Sequence, residues 1–217
     1  LHVYAGPNAS KFQLSVKDCH FDANQTDEYG SGSYLEDRGQ NTGVEFTGCE
    51  YRNNVAVTYS AAGAFWAAGS WTGFTIVDDC RFENNIATWS AGIEMGVGSV
   101  NSTAAANFRF EVLNSDFTAN EATEAGGILL HPQSTHFDAT IRNSIITNNQ
   151  SPDGSAIKAY QFISLSTFPT NASTRVENCL IAGNSGGEFA ISLDLAPKFS
   201  LLNTTVAGNE GGAFELS

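Results

Sequence analysis

The heptapeptide Asp79-Cys80-Arg81-Phe82-Glu83-Asn84-Asn85 decides the fold, because related heptapeptides occur along the whole chain. The other six begin at Asp18, Gly48, Asn114, Asn143, Asn178 and Asn203. Each has Asp, Gly or Asn first, then a small residue, an aromatic or branched residue at its fourth position and Asn at its seventh. The seventh positions are Asn24, Asn54, Asn85, Asn120, Asn149, Asn184 and Asn209. Spacings of 25 to 35 residues between them indicate stacked supersecondary units.

The first position of the heptapeptide is predicted to be a corner. Apolar residues lie two positions before it, as Val77 does, and three positions after it, as Phe82 does. A straight strand would place these two on opposite faces, because successive side chains alternate. A bend at the first position directs both inward, and Asp, Asn and Gly tolerate the backbone angles that such a bend needs.

A further strand is expected after each glycine- or alanine-rich step, such as Ala62-Gly63-Ala64-Phe65 and Gly126-Gly127-Ile128-Leu129. Small residues allow the chain to turn tightly and successive turns to approach each other. Three strands in each repeat, joined at small or polar corners, predict an all-β parallel β-helix of about seven turns with a rise of about 4.8 Å.

Stacking of turns places equivalent residues in rows along the axis. The seven heptapeptide asparagines, from Asn24 to Asn209, are expected to point inward and bond to their neighbours one turn away. The second position forms a core slot for small residues, which is occupied by Cys19, Cys49, Cys80 and Cys179 and elsewhere by Ser or Thr. Buried thiols are favoured there over a disulfide framework.

Composition and charge exclude several classes of function. The formal net charge of −13 argues against a nucleic-acid partner, because phosphates need basic residues. No apolar run approaches the length of a membrane span, so no transmembrane segment is predicted. We expect residues 1–217 to form a single β-helix segment that belongs to a longer repeat protein.

Two alternating tetrapeptides carry a resemblance to a known family. The first occurs as FDAN (21–24), FENN (82–85) and FTAN (117–120), and the second as GGIL (126–129) and GGAF (211–214). Their combination resembles the repeats of chlamydial polymorphic outer-membrane proteins. The resemblance implies a right-handed parallel β-helix that is exported to the cell surface and acts as an adhesin. The wider pectate-lyase-like group has the same parallel β-helix fold, and some of its members cleave polysaccharides.

The leading hypothesis is a non-enzymatic extracellular or cell-surface protein that acts as an adhesin, a stalk or a filament component, without a cofactor or a metal. Turn length varies mostly at 97–107, 131–137 and 161–173, which predicts an interaction surface on one side. The expected partners are neighbouring turns, copies of the chain itself, or a host-cell or glycan receptor.

Other residues support alternative hypotheses. A polysaccharide-degrading enzyme would use paired carboxylates, for which Asp78-Asp79 are candidates, although turn chemistry also explains them. His131 and His136 are candidate metal ligands without a third partner at a useful spacing. Trp66, Trp71 and Trp89 are a candidate sugar-stacking platform, with packing as the favoured explanation.

Glycosylation sequons occur both in predicted loops or corners and in the predicted asparagine ladder. Asn8, Asn101 and Asn171 lie in predicted loops and Asn203 in an exposed corner, so these four are the expected N-glycan sites. Asn24 and Asn149 are also in sequons, but their place in the inner ladder predicts that they are not modified.

Overall fold

The computed structural model describes residues 1–6, 11–37, 41–67, 72–97, 107–132, 136–154, 156–160, 171–194 and 198–216. In these ranges the secondary structure consists of β-strands, with no helix that is long and apolar enough to cross a membrane. Every pairing between the strands is parallel, and each strand pairs with its equivalents one turn before and one turn after.

Three long sheets run along the axis. Sheet A contains β1 (His2–Ala5), β5 (Ser33–Asp37), β9 (Gly63–Ala67), β13 (Ile93–Val97), β16 (Ile128–Pro132), β19 (Ile157–Ala159), β22 (Phe189–Leu193) and β25 (Gly212–Leu216). Sheet B contains β2 (Phe12–Lys17), β6 (Asn41–Thr47), β10 (Thr72–Asp78), β14 (Asn107–Leu113), β17 (His136–Arg142), β20 (Asn171–Glu177) and β23 (Lys198–Leu202). Sheet C contains β3 (His20–Asp22), β7 (Glu50–Arg52), β11 (Arg81–Glu83), β15 (Asp116–Thr118), β18 (Ile145–Thr147), β21 (Leu180–Ala182) and β24 (Thr205–Ala207).

The predicted parallel β-helix is therefore confirmed, with one addition. A fourth sheet, sheet D, contains the two-residue strands β4 (Gln25–Thr26), β8 (Val55–Ala56) and β12 (Ile86–Ala87). It follows the ladder asparagine in the first three described turns. Sheet D was not predicted, because its dipeptides share no residue pattern.

Each heptapeptide is a three-residue strand of sheet C between two left-handed bends. Its first residue has a positive φ in all seven copies, from 47° at Asn203 to 64° at Gly48. The residue before the ladder asparagine has one as well, from 53° at Ala23 to 67° at Gly183. The first bend was predicted. The second was not, because Ala occupies it at Ala23 and Ala119, and alanine does not indicate a left-handed conformation.

The aromatic row fills the interior behind sheet C. Phe21, Tyr51, Phe82 and Phe117 are paired in register. Their ring centroids are separated by 4.5, 4.9 and 4.5 Å, and the rings are stacked nearly parallel. Ile146, Ile181 and Val206 continue the row in the later turns. Offset stacking of this kind adds to the free energy gained by burial.

The asparagine row is a continuous hydrogen-bonded ladder. From Asn24 to Asn209, each Nδ2 donates to Oδ1 of the asparagine in the next turn, at 2.8 to 3.0 Å. The same Oδ1 also accepts the backbone N–H of the preceding asparagine. From Asn54 onward, Nδ2 makes a second bond to a carbonyl of the preceding turn, such as that of Tyr51 for Asn85. An interior amide thus uses both donors and both lone pairs.

We expect Asn85→Ala to lower the free energy of unfolding by about 3 kcal/mol or more, because several buried groups would each lose a partner at a cost of about 1–3 kcal/mol. Asn85→Asp should be more destabilising at pH 7, where a buried carboxylate would face acceptors. A buried carboxyl has a raised pKa, so it becomes protonated as the pH falls toward 4. The loss of unfolding free energy in Asn85→Asp should therefore shrink over that range.

Chemical denaturation of the folded chain measures both variants. The matched control is Asn84→Ala, since Ala23 and Ala119 already occupy that bend at φ values of 53° and 55°. Asn84→Ala should cost less than about 1 kcal/mol. Equal losses at Asn84 and Asn85 would contradict the role of the ladder.

Candidate functional site

The outer faces of sheets B and C carry charged side chains, several of which pair with each other. Arg52 lies 3.1 Å from Glu50 in its own strand of sheet C and 3.5 Å from Glu83 in the next turn. On sheet B, Nε of Arg142 donates to Glu177 at 2.9 Å. Exposed pairs of this kind contribute little to stability, but they give both faces basic as well as acidic side chains.

The outer face of sheet A is different, because it carries several aromatic side chains that contact each other. One outward row aligns Glu36, Trp66, Gly96 and His131, and Tyr160 follows β19 at the same level. A second row, in the turns that precede sheet A, places Tyr59 and Trp89 in successive turns. We call the following side chains the aromatic face: Tyr29, Tyr34, Tyr59, Trp66, Trp89, His131 and Tyr160.

The rings of the aromatic face form one connected series. Tyr29 stacks on Tyr59 with centroids 3.8 Å apart, and Tyr59 meets the edge of Trp89 at 4.8 Å. Trp89 approaches His131 at 6.3 Å. His131 in turn stacks on Trp66 at 5.4 Å and meets Tyr160 at 4.8 Å. His131 is fully buried, whereas the other six side chains are only partly buried.

Gly96 explains how Trp66 can lie flat on the sheet. A Cβ at Gly96 would collide with the six-membered ring of the Trp66 indole, so the absence of a side chain in this turn makes room for the ring. The indole therefore crosses one turn and reaches His131, which lies two turns away in the register of sheet A. Glycine within a strand commonly marks such a close approach.

A buried carboxylate lies beneath the rings. Glu94 is fully buried on β13, and its Oε2 accepts a hydrogen bond from Oγ of Ser60. Its Oε1 lies 3.3 Å from Nε2 of His131. A carboxylate in this position has no contact with solvent, so it can orient His131 and Ser60 but cannot reach a substrate. We therefore regard Glu94 as a residue that organises the face.

Lys158 lies beside Tyr160, at one end of the aromatic face. Its Nζ lies 2.6 Å from Glu124 and 3.4 Å from Asp153, and 4.8 Å from the ring centroid of Tyr160. Burial raises the pKa of Tyr160 well above its usual value, and the nearby charges of Glu124, Glu94 and Asp153 raise it further. Burial likewise raises the pKa of Tyr29, with the hydrogen bond that its hydroxyl donates to Tyr59 as the next cause. Both phenols therefore stay protonated.

The carboxylates proposed for polysaccharide cleavage lie elsewhere. Asp78 ends β10 on sheet B and accepts a hydrogen bond from Asn114 at 2.8 Å. Asp79 is exposed at the adjacent corner, with a φ of 53°. His131 and His136 belong to sheets A and B, the first buried and the second exposed. Over the described ranges, no three His, Cys, Asp or Glu side chains are grouped to hold a metal ion.

The structure describes only some of the candidate glycosylation sites. Asn8 and Asn101 lie outside the described residues, as does the side chain of Asn171. Trp71, from the candidate sugar-stacking platform, lies outside them as well. Asn203 is exposed at its corner. Asn149 is fully buried, but Asn24, in the first described turn, is exposed even though its amide bonds to Asn54. Burial therefore argues against a glycan on Asn149 but not on Asn24.

The small-residue slot is a second hydrogen-bonded row. The backbone N–H of Cys80 donates to Oγ of Ser115 at 3.1 Å, and the Cys80 thiol lies 3.3 Å from the carbonyl oxygen of Asp78. All four cysteines are free; Cys49, Cys80 and Cys179 are buried, and Cys19 is partly exposed. Burial raises the pKa of the Cys80 thiol to about 12 and also raises those of Cys49 and Cys179.

We expect alkylation of the native protein with iodoacetamide at pH 8 to leave Cys80 unmodified. A pKa of about 12 gives a thiolate fraction about a thousandfold below that of an ordinary thiol, and burial blocks access as well. Peptide mass mapping should show modification of Cys80 only after unfolding in guanidinium, with Cys19 as the internal comparison. Rapid native labelling of Cys80, or an intact mass lowered by two hydrogen atoms, would contradict the slot assignment.

Comparison of the chain with protein-family models, with curated proteins and with solved structures finds no match. The function must therefore be argued from the fold and from the aromatic face.

Proposed function

We propose that this protein is a non-enzymatic extracellular or cell-surface β-helix that acts as an adhesin, a stalk or a filament component. We further propose that its interaction surface is the aromatic face together with the connections from sheet A to sheet B. The observation that carries the proposal is the contrast between outer faces. Sheets B and C pair their own charges, whereas sheet A presents partly buried rings.

Partly buried Tyr and Trp side chains are suited to recognition. They offer a large contact area with little conformational entropy to lose, and they are enriched among the residues that dominate binding energy. Tyr29, Tyr34, Tyr59, Trp66, Trp89 and Tyr160 cluster on one face, while the interior rows are filled mainly by Phe, Ile, Leu and Val, with Tyr51 as the one fully buried tyrosine among the described residues. The rings are thus not needed to fill the core.

The connections of variable length between sheets A and B support the same choice of interaction surface. Each begins at the carboxyl end of a sheet A strand and leads to the next strand of sheet B. The longest lie between Val97 and Asn107 and between Ala159 and Asn171. Most of both connections, at 98–106 and 161–170, lies outside the described residues, and their part in binding stays a prediction from turn length. The expected partners are further β-helix turns, copies of the chain, or a host-cell or glycan receptor, and the acidic charge disfavours nucleic acid.

The surface assignment is tested by Tyr59→Ser combined with Trp89→Ser. We expect this variant to lose most of the binding of the wild-type chain to an array of glycans and extracellular-matrix proteins, by about thirtyfold if the rings are hot spots. Replacement of 98–106 or of 161–170 by a short Gly-Ser linker, which spares the strands of sheets A and B, should weaken the same signals. The matched control, Ile145→Ser with Leu180→Ser, removes two exposed apolar residues from sheet C and should retain binding. Equal losses in both variants would contradict the assignment.

The alternative function is a polysaccharide-degrading lyase or glycoside hydrolase. Asp78 and Asp79 would then be its carboxylates, but the bond to Asn114 and the corner conformation give both a structural role. We expect the purified chain to release no reducing ends or unsaturated products from acidic or neutral polysaccharides. Cleavage that disappears in Asp78→Asn with Asp79→Asn would replace the non-enzymatic proposal.

A further inference from the structure

The basic residues of the chain are distributed very unevenly among the three sheets. Strands of sheets B and C contain seven of them, namely Lys17, Arg52, Arg81, Arg109, Arg142, Arg175 and Lys198. The eight strands of sheet A contain one, Lys158. Acidic residues are not depleted there, since Glu36 and Glu94 lie on sheet A and Glu124, Asp153 and Asp194 adjoin it.

From this distribution we propose that the aromatic face binds a cationic polypeptide segment, whose Lys or Arg side chains lie between its rings and carboxylates. The inference deepens the proposed function and rests on it, because it names the chemistry of the partner. A net charge of −13 attracts such a segment over a distance, and the face offers it direct contacts.

Lys158 shows how the face holds an ammonium group. Its Nζ contacts the carboxylates of Glu124 and Asp153, and it lies over the ring of Tyr160. A cation between aromatic faces and carboxylates gains from both the ring quadrupole and the charges. The side chain of Asp153 is 51 % exposed and that of Glu124 is 26 % exposed, so both remain accessible to a partner.

Similar combinations of ring and acid recur along the face. Glu36 pairs in register with Trp66, Glu28 precedes Tyr29, and Asp194 is the neighbour of Tyr160 in the next turn. The face extends over five turns, or about 19 Å at the usual spacing between strands, which matches roughly six residues of an extended peptide. A neutral glycan would stack on the same rings and could donate hydrogen bonds to the acids, but it would gain no charge attraction from them, so the charge distribution favours the cationic segment.

The test uses a synthetic peptide of roughly ten residues that alternates Lys and Ser, and the same peptide with every lysine acetylated, so that only charge differs. We expect the folded chain to bind the unmodified peptide at least about tenfold more tightly, with an affinity that falls as salt is added. Fluorescence anisotropy of labelled peptide measures both. Tyr59→Leu with Trp89→Leu should weaken binding at least about threefold at constant charge.

Charge variants distinguish the face from general attraction to an acidic protein. Glu124→Gln with Asp153→Asn should weaken binding at least about fivefold, whereas Asp116→Asn with Asp138→Asn, the same charge change on sheets C and B, should change it less than about twofold. Lys158→Met should strengthen binding by vacating the ammonium position, and Lys17→Met on sheet B should not. Equal weakening by the two acidic pairs would overturn the inference.

The remaining outcomes separate the inference from the proposed function. Ring-dependent binding of neutral oligosaccharides, without binding of the lysine peptide, would overturn the cationic partner and leave the interaction surface standing. Binding of neither probe would also overturn it. Retention of every array signal in Tyr59→Ser with Trp89→Ser would instead contradict the interaction surface itself.

Discussion

Stacking in register constrains every interior position, because each side chain lies against its own equivalents one turn away. Only residue types that satisfy copies of themselves can form a row under this constraint. An asparagine amide does so, since the amide of Asn85 accepts two bonds from Asn54 and donates to Asn120 and to the backbone carbonyl of Tyr51 without any other side chain. Flat rings form rows by stacking. Small hydroxyls and thiols form rows by accepting a hydrogen bond from the backbone amide of the preceding turn.

Because of the same constraint, differences between turns occur mainly among the residues on the outside of the β-helix. Interior rows repeat from turn to turn and therefore differ little along the axis, whereas outward residues are free to vary. Sheets B and C use much of that freedom for charged residues, several of which pair across turns. On sheet A many contacts of the outward residues occur only once: Trp66 lies over Gly96, Glu94 joins Ser60 to His131, and Lys158 joins two acids.

Most of the fold could be predicted from the sequence, and most of the face could not. The corners at Asp79 and Asn114 and the ladder through Asn85 follow from local residue types that recur every 25 to 35 residues. Ser60, Glu94 and His131 come from three different turns and share no pattern, so their contact arises only from the register. One signal was present: Tyr29, Tyr59 and Trp89 each lie four or five residues after a ladder asparagine. Trp66 and Trp89 were assigned to packing because their exposure depends on the turns beside them.

A double-mutant cycle along the asparagine row tests the central claim most directly. Denaturation midpoints would be measured for the Ala variants of Asn85 and Asn120, which are hydrogen-bonded neighbours, and of Asn54 and Asn149, which are three turns apart in the ladder. In-register stacking predicts a coupling energy of about 1 kcal/mol or more for the adjacent pair and additivity within about 0.5 kcal/mol for the distant pair. Additive effects in the adjacent pair would contradict the ladder, and with it the placement of the outer faces.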